Sequence, residues 1–110
     1  MHENYRYAFL LAFFALEDIL RDYLRHLKTR RGVSATKLKA YEKDIGMSYM
    51  INVELPMVTH PGERIQELLP DLKRITTIPN GIVHKAREVT HDDAALAIRA
   101  VSTLFSSTSS

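Results

Sequence analysis

Apolar positions along the chain recur at helical rather than alternating intervals. Between Tyr5 and about Lys28, the residues Phe9, Phe13, Leu16, Leu20, Tyr23, Leu24 and Leu27 fall mostly three or four positions apart, the spacing that lines one face of an α-helix. The pattern predicts one long first helix with that stripe toward the core. A second stripe, Leu11, Phe14, Asp18, Arg21 and Arg25, keeps the spacing but turns from apolar to charged halfway along. The first half of the helix is therefore apolar nearly all round, and such a surface calls for a second cover besides the core. In so short a chain that cover is expected to be another subunit, with Leu11 and Phe14 at a homodimer interface.

The rest of the chain reads as shorter helices. Residues 28–33 form a polar turn, and Ser34 is suited to cap a second helix carrying Leu38, Tyr41 and Ile45, which Gly46 ends. Over 47–58 the apolar Met50, Ile51, Val53 and Leu55 admit either a helical turn or a short extended piece, and Pro56 is expected to stop both. Thr59 is placed to cap a helix that starts at Pro61, buries Ile65, Leu68 and Leu69, and is punctuated by Pro70. A further helix carries Leu72, Ile75 and Ile78 as far as Pro79-Asn80-Gly81, the strongest turn or kink signal in the chain. After a polar connector, Thr90 and Asp93 make a short-side-chain capping box for a last helix from about His91 to Phe105, burying Ala94, Leu96, Ile98, Val101, Leu104 and Phe105. The expected fold is all-α, a small bundle of four to five helices with a long first helix. Residues 1–105 form its single domain and 106–110 a disordered tail.

Composition narrows the function classes. The chain has 110 residues, enough for one core, and 45% hydrophobic with 25% charged residues is ordinary for a folded domain. No cysteine is present, which excludes disulfides and thiolate metal sites and makes the cytoplasm the expected address. The apolar run from Ala8 to Leu16 ends in Glu17-Asp18 rather than in a small-residue cleavage site. It is also far short of the roughly 20 residues a membrane crossing needs, so no membrane partner is expected. The five histidines, His2, His26, His60, His84 and His91, show no pair at three- or four-residue spacing, and neither a metal site nor a cofactor is expected. A net charge of +2 implies nothing about nucleic acid, but Arg25, Lys28, Arg30, Arg31, Lys37, Lys39 and Lys43 cluster within nineteen residues against Glu42 and Asp44. That cluster is a candidate phosphate-facing patch, or else a solvated face. Glu17 and Asp18 diverge by a hundred degrees on a helix, so Glu17 is expected to pair with Arg21 instead of joining in acid–base chemistry.

His84 read alone is a helix-end or core-edge histidine. Its setting is more specific. The run Asn80-Gly81-Ile82-Val83-His84, a short polar connector, and Thr90-His91-Asp92-Asp93-Ala94-Ala95-Leu96 resembles the end of a HEPN domain. Ala15-Leu16-Glu17-Asp18-Ile19-Leu20-Arg21 is similar to that family's opening helix. The resemblance implies a small dimeric helical bundle directed at RNA, of the toxin or defence kind, with an antitoxin or a larger chain as further partner. Active members are metal-independent ribonucleases whose motif is an arginine, often followed directly by Asn, and then a histidine with four to six positions intervening between the arginine and it. Asn80 and His84 stand at the polar and histidine positions and are the implied catalytic pair, but the arginine positions hold Pro79, Ile78 and Thr77. Cleavage is thus expected to be weak or lost, and Pro79→Arg is expected to restore it. Arg30, Arg31, Lys37, Lys85 and Arg87 are the candidate RNA contacts. The alternative is a non-catalytic dimerisation or partner-binding module.

Overall fold

The long stripe of the first helix forms the centre of the fold, with Phe9, Leu16, Leu20 and Leu24 fully or almost fully buried. The computed structural model describes residues 2–60, 62–85 and 88–108, apart from the side chains of 2, 3 and 80–85. Every regular element among them is helical: α1 (His2–Arg30), α2 (Ala35–Tyr41), a 3-10 turn (Glu42–Asp44), α3 (Met47–Tyr49), a π-helical segment (Met50–Glu54), α4 (Leu55–Val58), α5 (Arg64–Lys85) and α6 (His91–Thr108). The architecture is a small all-α bundle with a long first helix.

α1, α5 and α6 make the bundle. The Tyr5 ring meets His91 edge-on at 5.5 Å at one end, and at the other Thr108 shares a hollow with Asp22, Tyr23, His26 and Thr29. α6 therefore runs parallel to α1. Small buried residues, Ala12 on α1 and Ala94, Ala97 and Ala100 on α6, let helices approach closely, and α1 packs more extensively on α6 than on any other element. α5 runs the other way, since only five residues separate its end at Lys85 from the start of α6 at His91 and the two helices pack on each other. The chain from α2 to α4 packs across the C-terminal half of α1.

Caps and turns follow local chemistry. Gly32 at φ 95° closes α1: the N–H of Val33 donates to the Lys28 carbonyl at 3.1 Å and that of Gly32 to Thr29 at 3.0 Å. Ser34 caps α2 with a long 3.5 Å bond from the Lys37 N–H. The capping box at α6 is formed in both directions, Asp93 N–H to Thr90 Oγ1 and Thr90 N–H to Asp93 Oδ2, each at 3.1 Å.

Five expectations are corrected. Thr59 does not cap a helix starting at Pro61. It ends α4, its hydroxyl donating to the Leu55 carbonyl at 2.5 Å and accepting from Gln66 Nε2 at 2.5 Å, and α5 starts at Arg64 after Gly62 turns the chain at φ 96°. Pro56 does not stop the helical path through 47–58 but lies in the first turn of α4, directly after the π segment. Neither Pro70 nor Pro79 breaks α5. Two interior prolines cost about 6 kcal/mol, whereas burying Ile65, Leu68, Leu69, Leu72, Ile75 and Ile78 contributes about 9–18 kcal/mol. Tertiary burial wins. Finally, the apolar residues expected on buried faces divide: Leu38 and Ile45 are half-buried, while Tyr41, Ile98 and Phe105 are exposed. The last helix also continues to Thr108, where the Ser107 and Thr108 hydroxyls donate to the carbonyls of Thr103 and Leu104.

Candidate functional site

Three regions of the molecule carry the candidate residues. The first is the end of the bundle where α5 gives way to α6. Asn80 and His84 stand four residues apart on α5, so on the continuous helix they share a face, about 40° apart around the axis. The side chains of Asn80, His84 and Lys85, and the whole of Arg87, lie outside the described residues. Of the three positions at which a motif arginine is sought, Ile78 is buried in the core and Thr77 is exposed, its hydroxyl donating to the Arg74 carbonyl at 2.7 Å. Pro79 lies about 140° around the helix from His84, whereas Thr77, seven residues back, lies within about 20° of it.

The second region is the basic segment, and the structure divides it. Arg25 is not free for phosphate: it forks onto Glu42, with Nε donating to Oε2 at 2.9 Å and Nη2 to Oε1, and Asp22 stands 3.6 Å away. That hydrogen bond raises the Arg25 pKa and holds the Glu42 carboxyl below its ordinary value. Lys28 pairs with Glu54, a carboxylate that is only 7% exposed, and burial lowers the Lys28 pKa against an opposing pull from Glu42. Arg21 pairs with Glu17 at 3.5 Å, as the spacing predicts, and donates from Nη2 to the Ile45 carbonyl at 2.9 Å. These pairs pin the α2-to-α4 segment to α1. Arg30, Arg31, Lys37, Lys39 and Lys43 remain exposed.

The two regions are far apart. α5 ends beside the start of α1, whereas Arg30 is the last residue of α1, and twenty-five residues of helix between Tyr5 and Arg30 measure about 37 Å. Arg30 therefore lies at the opposite end of the bundle from the last turns of α5.

The third region is the outer face of α1. Tyr7, Leu11 and Phe14, at i, i+4 and i+7, are 67%, 53% and 57% exposed, and the stripe turns charged at Asp18. Periodicity identifies Leu11 and Phe14. It misses Tyr7, whose hydroxyl disguises it as a polar boundary.

A further feature has no signal in the sequence. Between α1 and the chain from Val33 to Glu54 lies a cavity of about 260 Å³, walled by Leu24, Val33, Leu38, Tyr41, Ile45 and Met50 and bordered by the charged groups just described. Among the described residues, no group of three or more His, Asp or Glu side chains is arranged to hold a metal ion, and no helix is long and apolar enough to cross a membrane. No protein-family model, no curated protein and no solved structure matches the chain.

Proposed function

We propose that this chain is a HEPN-like domain that faces RNA or a nucleotide through the end of the bundle bearing Asn80 and His84. Its setting would be a toxin or defence system, with metal-independent cleavage weak or lost. One observation supports this most: α5 runs through Pro79 to Lys85, so Asn80 and His84 share a helix face immediately before the capping box of α6. An imidazole there is suited to take the proton of a ribose 2′-hydroxyl. Cleavage also needs a cation for the charge growing on the phosphate, a donor whose loss typically costs about 100- to 1,000-fold in rate. None of Thr77, Ile78 and Pro79 supplies one.

Helix continuity changes which substitution restores it. Pro79→Arg puts the guanidinium most of the way round the helix from His84, whereas Thr77→Arg puts it on the same face, about 10 Å away along the axis and within reach of a phosphate lying between. Thr77→Arg is thus expected to gain RNA cleavage at least about tenfold over wild type, dependent on His84 and insensitive to chelators, and Pro79→Arg to gain little. Gel-based cleavage assays on the four proteins, including Thr77→Arg with His84→Ala, check this. An equal gain in the Pro79→Arg protein contradicts the helix register, and no gain in either folded variant favours the second reading.

That second reading is a dimerisation or partner-binding module, and the exposed Tyr7, Leu11 and Phe14 favour it. A two-fold dimer through α1 is proposed under both, since a self-complementary apolar stripe is what an isologous contact requires.

A further inference from the structure

α5 and α6 pack on each other, and along their seam lies an open hollow of about 380 Å³, lined by Asp71 and Arg74 from α5 and by Arg99 and Thr103 from α6. Leu68, Leu96 and Ala100, all buried, form its floor. Both arginines are exposed. Elsewhere the fold answers its cations: Arg21 has a carboxylate partner in Glu17, Arg25 in Glu42 and Lys28 in Glu54. Arg74 and Arg99 have no ion-pair partner among the described residues, although Asp71 lies in the same hollow. Two guanidinium groups beside one carboxylate leave a positive surplus open to solvent. Like charges that converge on one hollow repel, and an anion between them relieves the repulsion.

The surroundings narrow the anion. Arginine presents a planar fork of donors that matches two phosphate oxygens at once, and the Thr103 hydroxyl adds a neutral donor beside it. Continuity of α5 then connects the hollow to His84. Arg74, Thr77 and His84 stand at i, i+3 and i+10 on one unbroken helix, within about 80° around its axis and about 15 Å from first to last. A small anion would occupy the hollow alone, whereas a chain of phosphodiesters can follow this face from one position to the other.

We infer that the α5–α6 hollow holds a backbone phosphate of single-stranded RNA on Arg74 and Arg99, about three turns of α5 from His84. The inference rests on the RNA-facing reading, to which it adds a binding contact on the same helix. Fluorescence anisotropy with a ten-nucleotide single-stranded RNA across a salt series tests it on the full chain. Four proteins are compared: wild type, Arg74→Gln with Arg99→Gln, His84→Ala, and Arg30→Gln with Arg31→Gln as a control for equal loss of charge at the other end. The Arg74 and Arg99 double variant is expected to bind about tenfold more weakly at low salt. Its slope of log affinity against log salt is expected to flatten by about 0.7, the share of one phosphate on a single strand. The control is expected to keep the wild-type slope. If the double variant binds no more weakly than the control while His84→Ala weakens binding, the phosphate site is overturned and the RNA reading stands. Weakening in the double variant with none in His84→Ala supports the hollow and counts against placing RNA at His84. No binding by the wild type overturns both.

Discussion

Glu42 shows how a single residue changes the meaning of its neighbours. In the sequence it is a minor acidic interruption in a basic run, but seventeen residues of separation vanish in the fold and it becomes the forked partner of Arg25. The hydrogen bond from Arg25 keeps the Glu42 carboxyl ionised below its ordinary value of 4.5. For a carboxylate depressed in the folded state, the stabilisation is fully present above the unfolded value and is lost as pH falls through the folded one. Wild-type protein is accordingly expected to lose stability more steeply on acidification below about pH 4.5 than Glu42→Gln, which lacks the titrating group. Thermal melts across an acid series check this, and parallel curves for the two proteins would contradict it. Neighbour-in-sequence pairs such as Glu17–Arg21 and Thr90–Asp93 were legible because both partners lie within one helical turn. Arg25–Glu42 and Lys28–Glu54 were not, since no local rule brings two helices together.

At the scale of the element, periodicity carried the fold and punctuation misled. α1 and α6 follow from their apolar spacing, and the α6 start follows from its capping box. Proline was the source of error, because its cost is fixed while the burial opposing it depends on the whole stripe. Pro70 is exposed in mid-α5, with buried Leu69 and Leu72 on either side. Replacing it should restore a helical hydrogen bond to the Gln66 carbonyl, so Pro70→Ala is expected to raise unfolding free energy by about 1–3 kcal/mol in urea titrations. No gain would mean that the helix ends there, as the bare sequence suggests. The outer stripe of α1 makes a separate prediction. Phe14→Glu places an unpaired charge in the proposed two-fold contact and is expected to yield monomer, while the wild type sediments as a dimer at micromolar concentration. A monomeric wild type removes the contact.

For the whole molecule, the decisive fact is polarity along the bundle axis. Asn80 and His84 belong to the end where α1 begins, and the exposed cations Arg30, Arg31, Lys37, Lys39 and Lys43 belong toward the end where it finishes. The sequence offers the implied catalytic pair and the candidate phosphate-facing patch without placing one relative to the other, because along the chain nothing distinguishes one end of a bundle from the other. The fold separates them, so the two make different predictions about where RNA binds. Amide chemical-shift mapping with a short single-stranded RNA at low salt tests the central proposal most directly. The HEPN-like reading predicts perturbations concentrated at the last turns of α5 and the first turn of α6, diminished by His84→Ala and unaffected by replacing Arg30 and Arg31 with alanine. Perturbations confined to residues 30–43, or none at all, would contradict it.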